Sequence, residues 1–149
     1  MSETLTKSAA RNIFYGGTVF FFVIFVGLVA HSVSTVNSMS ATHPVTPSVA
    51  AGKAVWERHA CIDCHTILGE GAYFAPELGN VWVRYGGRDD AAGAREGIKA
   101  WIKSQPTGIE GRRQMPHFAI SDADLDNLVD FFKWTSEINT QNWPPKVSG

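Results

Sequence analysis

Cysteine is close to absent: the 149 residues hold two, Cys61 and Cys64. A finger-like structural zinc site needs a second ligand pair at matching spacing, so that reading fails. A disulfide between the two would close a tight ring of little stabilising value. Charge of one sign is also missing. The 13 Lys and Arg are matched by 14 Asp and Glu, for a formal net charge of -1, and no basic stripe of the kind phosphate binding requires is left. Nucleic acid is excluded as a partner. No alternating run is long enough for a confident strand, which removes the βαβ setting of a thioredoxin-like cysteine pair. No nucleophile is paired with a base and there is no phosphate loop, so nothing argues for chemistry of the chain's own.

What is present begins with a long apolar run. Ile13 to Ala30 are eighteen residues without a charge. At about 1.5 Å per residue they cover about 27 Å, nearly a bilayer core, and the uncharged continuation to Val36 supplies the rest. One transmembrane helix over 12–34 is expected, after a short polar segment, 1–11. A cleaved secretory signal has an apolar region of only about 7–15 residues, and Ser38-Met39-Ser40-Ala41 is a poor cleavage site. Lys7 and Arg11 precede the run and no Lys or Arg follows until Lys53. The positive-inside rule therefore puts the N-terminus in the cytoplasm and everything beyond the span outside. Residues 35–47 read as a short extended linker, with His43 solvated in it.

The chain is organised around Cys61-Ile62-Asp63-Cys64-His65. C-x-x-C-H is an attachment site for a c-type haem: two thiols on one helical turn add to the two vinyl groups, and the adjacent histidine becomes the proximal ligand. One covalent haem c is expected, on Cys61 and Cys64, with His65 on the iron. The sixth ligand must come from the loop after Pro106. Met115 is the candidate, being the only methionine beyond the tail and linker, and its thioether favours ferrous iron. His117 is the rival ligand, and His59 reads as a partly exposed helix residue. Both axial positions are then filled, which leaves electron transfer as the task. Arg112 and Arg113 either neutralise the haem propionates or face solvent.

Residues 48–138 should form an all-α haem domain. Ser48 can cap a helix running to about Ala60, with Gly52 and Trp56 facing Leu128 and Phe131 of a last helix capped by Ser121. Pro76 can open a third helix, with Leu78, Val81, Trp82 and Tyr85 on one face. After a turn at Gly86 to Asp90, Ala94, Ile98, Trp101 and Ile102 form a fourth apolar stripe. Residues 139–149 are a tail.

In this order the motifs resemble the class I cytochrome c family: Gly52 and Trp56, the haem motif, Pro76-Glu77-Leu78, Met115-Pro116, then the Leu128/Phe131 helix. The resemblance implies that the Pro76 carbonyl accepts the Nδ1 proton of His65. A narrower likeness, running nearly end to end, is to the small subunit of bacterial cytochrome c-dependent nitric oxide reductases. It rests on His65 through Leu78, the N-terminal anchor and Trp143-Pro144-Pro145. It implies a single-pass protein of the bacterial inner membrane with a periplasmic haem domain. It further implies a soluble periplasmic donor, such as a small cytochrome c or a cupredoxin, and a large polytopic partner containing haem b and a haem b3/non-haem iron centre. The runners-up are a haem subunit of a cbb3-type oxidase, a haem-based gas sensor and an anchoring subunit with an idle haem. Gly69 and Gly71 allow tight turns, and Tyr73 and Phe74 are large anchors close to the proximal ligand. This stretch is expected to dock the large subunit; the competing expectation is that both rings pack inward against the haem.

Overall fold

The computed structural model describes residues 5–140. The Trp143-Pro144-Pro145 tail lies outside them. Two compact units divide between Pro44 and Val45.

The first unit is one helix, α1 (Lys7–Thr42), capped by the Thr6 hydroxyl, which accepts from the Ala9 N–H at 3.2 Å. It is long and apolar enough to cross a membrane. Its phenylalanines are exposed, Phe21 at 68 %, as suits a surface solvated by lipid rather than by water. The segment 35–47, expected to be extended, is helical through Thr42. Thr35 bonds to the His31 carbonyl at 3.0 Å and Ser38 to that of Thr35 at 2.8 Å, both about one turn back, so neither hydroxyl competes with the helix. The helix stops just before Pro44.

The second unit is mostly helical. α2 (Pro47–Arg58) is capped by the Thr46 hydroxyl, not by Ser48, because Pro47 takes the first helical position. Ser48 Oγ instead reaches α5 (Asp122–Glu137), where it bonds Asn127 Oδ1 at 3.0 Å and Asp130. The two helices cross at Gly52. A Cβ there would sit 2.0 Å from the Asn127 carbonyl oxygen and 2.8 Å from Phe131 Cβ, so only glycine lets the backbones approach. Trp56 packs beside Phe131 and Phe132, with ring centroids 6.5 and 6.0 Å apart, and Leu125 and Val129 close the core at 0 % exposure. Ser121 caps α5 as its sequence signature indicated, accepting from the Asp124 N–H at 3.1 Å.

α4 (Ala91–Lys103) opens on Asp90, whose carboxylate accepts from the Gly93 N–H at 2.8 Å. It lays Ala94, Ile98 and Ile102 on the core. Lys99 Nζ reaches Asp126 Oδ1 of α5 at 2.9 Å, and Arg95 pairs with Asp130.

Two further expectations are corrected. No helix starts at Pro76, and α3 is a single turn, Val81–Arg84. The segment is pinned instead to the loop before it: Ala75 N–H donates to the Cys64 carbonyl and Leu78 N–H to the Thr66 carbonyl, both at 2.8 Å. A two-residue antiparallel ladder, β1 (Thr66–Ile67) with β2 (Glu70–Gly71), also appears where no strand was expected. It is too short to leave an alternating pattern, and its turn is made by Leu68 and Gly69 in the left-handed region.

Candidate haem-binding site

α2 ends at Arg58 and Ala60 turns left-handed, φ 50°, so Cys61–Asp63 forms a tight 3-10 turn rather than a continuation of the helix. The turn presents both thiols and ends on His65, whose N–H donates to the Cys61 carbonyl at 2.9 Å. The thiols are free and half-buried, and burial pushes the Cys61 thiol up to about 11. His65 is 7 % exposed. Its Nδ1 lies 2.7 Å from the Pro76 carbonyl oxygen. A carbonyl can only accept, so Nδ1 carries the proton. Burial lowers the His65 pKa, with the Pro76 bond opposing, which favours the neutral ring, and with the proton on Nδ1 the free lone pair of that form is on Nε2. Gly71, at φ 123°, completes the fit: a Cβ there would lie 2.2 Å from the His65 carbonyl oxygen.

Two cavities, about 310 and 270 Å³, share Cys61, His65, Pro76, Trp101, Met115 and Phe118 on their walls. Two thiols, an imidazole with its free nitrogen and a thioether thus meet around apolar space, the donor set and shape that a covalently held haem needs. His117 lines neither cavity; its Nδ1 is 3.3 Å from the Gln105 carbonyl oxygen. His59 is half-buried and meets the edge of Phe118, centroids 5.5 Å apart.

The stretch singled out for docking divides. Tyr73 is 77 % exposed, its hydroxyl donating to the Gly69 carbonyl at 3.3 Å. Phe74 lines the larger cavity and lies under Arg113, whose guanidinium is 4.7 Å from the ring centroid and whose Nη1 donates to the Phe74 carbonyl at 2.5 Å. Arg112 is on the same wall.

Three residues escaped the sequence reading. Trp101, expected on the buried stripe of α4, is 45 % exposed and forms part of the cavity wall. Arg84 is, among the described residues, the one charged side chain on the smaller cavity, and desolvation there lowers its pKa. Glu77 is buried beneath the proximal loop. Only the two glycines after Arg84-Tyr85 hinted that a turn would fold this arginine inward.

The cytochrome c family pattern matches residues 49–136. The C-subunit of nitric oxide reductase from Paracoccus denitrificans is 57 % identical over 150 residues, covering all of both chains. Those of Halomonas halodenitrificans and Stutzerimonas stutzeri are 54 % and 50 % identical, again over all of both chains. The chain belongs to the nitric oxide reductase C-subunit family. As a cytochrome c domain of that family it carries one covalently attached haem c, and it is an electron-transfer subunit whose catalysis lies in another subunit.

Proposed function

We propose that this chain is the membrane-anchored electron entry of a nitric oxide reductase, receiving electrons from a soluble periplasmic carrier and passing them to the subunit that reduces NO to N2O. The observation that carries the reading is the pairing, across one apolar space, of a neutral imidazole pinned through Nδ1 with a thioether. Cys61 and Cys64 would hold the cofactor covalently, His65 and Met115 would offer it an imidazole nitrogen and a thioether, and Pro76 would fix the His65 tautomer. When bound, the haem supplies a one-electron couple with no open coordination site. Arg84 offers a guanidinium to the haem carboxylates in the smaller cavity, where no other described residue is charged.

α1 anchors the chain in the bacterial inner membrane with its N-terminus in the cytoplasm, on the evidence of Lys7 and Arg11. The haem domain is then periplasmic and open to a small cytochrome c or cupredoxin. The catalytic partner is a polytopic subunit with haem b, haem b3 and non-haem iron. Exposed Tyr73, with the turns at Gly69 and Gly71, presents the docking surface, and Phe74 links that surface to the cavity.

The test is a membrane purification that follows the haem c absorption of this chain and assays the co-purifying activity. Nitric oxide reduction supported by a reduced soluble carrier is expected. Co-purifying oxygen reduction would return the chain to a cbb3-type oxidase, and rapid CO binding to the reduced protein would make it a gas sensor.

A further inference from the structure

Glu77 is a carboxylate placed where burial is costly, at 8 % exposure. Its Oε1 accepts two backbone N–H groups, that of Leu68 at 2.9 Å and that of Gly79 at 2.7 Å. Its Oε2 is buried and accepts none. The two donors belong to different segments. Leu68 is at the tip of the β1–β2 turn in the left-handed region, φ 53°, and Gly79 stands at the entrance to α3. One side-chain oxygen therefore ties the loop that follows His65 to the loop that follows Pro76.

Between those ties lies the contact that orients the imidazole. Proline has no N–H, so Pro76 can bond through its backbone only as an acceptor, and its carbonyl accepts from His65 Nδ1 at 2.7 Å. That carbonyl is bonded directly to the nitrogen of Glu77, so it cannot rotate away unless the Glu77 backbone moves. The Glu77 backbone is held from its own side chain, through Leu68 and Gly79, and by the Leu78 N–H donating to Thr66 at 2.8 Å. We propose that Glu77 is a positioning residue: by anchoring the peptide that follows Pro76, its carboxylate holds the Pro76 carbonyl against His65 and so fixes the plane of the imidazole offered to the haem iron. The proposal rests on His65 being the iron ligand.

Three substitutions separate reach from charge. Glu77→Gln keeps an acceptor oxygen at the same reach without the charge, which also acts on His65 and Arg84. Glu77→Asp keeps the charge on a stem one methylene shorter, and Glu77→Ala removes both. Each is made in the full-length, haem-loaded chain within its complex. The readouts are amide exchange of the 66–79 peptide, EPR of the ferric haem c and redox titration. In the Ala and Asp variants exchange at Leu68 and Gly79 should rise by at least about tenfold, the change expected when each amide loses its charge-assisted hydrogen bond. The EPR signal should move and the potential should rise, because an imidazole that has lost its carbonyl partner is a weaker donor to iron. The Gln variant should keep wild-type exchange and the wild-type EPR signal. Faster exchange with an unmoved EPR signal in both Ala and Asp overturns the proposal and reduces Glu77 to a loop brace. A Gln variant displaced in exchange and EPR also overturns it, because reach without charge then fails to hold the peptide. Should the Ala variant fail to assemble, Gln against Asp decides the matter. Failure of the His65 assignment looks different: the unmodified protein, with Glu77 intact, lacks a low-spin histidine–methionine signal.

Discussion

Alanine is normally the better helix former by about 1 kcal/mol, so Gly→Ala inside α2 should stabilise the helix considered alone. At Gly52 the opposite is expected. The new Cβ is placed 2.0 Å from the Asn127 carbonyl oxygen, 2.6 Å from its carbon and 2.8 Å from Phe131 Cβ, two of them backbone atoms that no rotamer change can remove. Since real Cβ contacts stay beyond 3.0 Å, α2 and α5 must part by about 1 Å. Overpacking of this kind costs about 1–3 kcal/mol. Parting the helices also stretches the bonds from Ser48 to Asn127 and Asp130, each worth about 1 kcal/mol. After subtracting the propensity gain, Gly52→Ala should cost about 2–4 kcal/mol, which lowers the Tm of a domain of this size by roughly 8–30 °C. Thermal unfolding of the haem-loaded protein, followed by circular dichroism and by the haem absorption, measures it. Exposed Ala50 on the same helix supplies the control, because Ala50→Gly should lose only about 1 kcal/mol. A Gly52→Ala protein as stable as wild type would refute the close crossing, and with it the explanation for how Trp56 meets Phe131.

Met115→Ala should leave the haem attached, lower its potential and open the reduced protein to CO; a spectrum and potential unchanged from wild type would remove Met115 from the ligand set. Tyr73→Ala should weaken co-purification of the catalytic partner with a normal haem spectrum, whereas Phe74→Ala should disturb the spectrum too, because the ring lines the cavity under Arg113. Identical behaviour of the two variants would count against the division between them. The Lys103 and Lys99 ammonium groups, by hydrogen bond first and by charge second, hold the Asp122 and Asp126 carboxyls below their usual range. Depressed folded-state values mean stability that is present above the ordinary carboxylate pKa of about 4 and is lost as pH falls through the lower folded value. Both carboxylates are solvated, so the loss should be small. Lys99→Met should flatten part of that acid limb of a Tm-against-pH curve, and an unaltered limb would show the Lys99–Asp126 pair to be inert.

How much of this was legible beforehand depended on whether the signal was local. The α5 cap is a pattern within four residues, Ser121 to Asp124, and it appears where the sequence indicates. The α2–α5 crossing was also readable, because a glycine one turn from a tryptophan marks a close approach and the facing stripe of Leu128 and Phe131 is periodic. The Pro76 helix failed for the complementary reason. Leu78, Val81, Trp82 and Tyr85 do have helical spacing, but the choice was made by bonds from residues 75 and 78 to Cys64 and Thr66, which no local window contains. The linker reading failed on composition: Ser and Thr suggested extension, yet the hydroxyls of Thr35, Ser38 and Thr42 found carbonyls one turn back, where they do not compete with the helix.

The site divides along the same line, and this bears on what tunes it. As candidates, Cys61, Cys64, His65 and Met115 stand out because their chemistry is unusual for their surroundings: the only cysteines, an adjacent histidine, the only domain methionine. Glu77 and Arg84 are common residues among 27 acidic and basic ones, and nothing in their spacing distinguishes them. Folding distinguishes them by removing water, most of it from Glu77, at 8 % exposure, and part of it from Arg84, half-buried in an otherwise uncharged wall. A charge in water contributes little to a neighbour a few ångströms away, while the same charge in a low-dielectric wall is weakly screened. The groups able to set the potential of the bound haem are therefore the ones the fold buries, and they become recognisable only once burial is known. It follows that substitutions at Glu77 and Arg84 should move the potential more than substitutions at solvated Arg112, although all three were ordinary charges in the sequence. Equal shifts from Arg84→Gln and Arg112→Gln in a redox titration would show that burial is not what selects them.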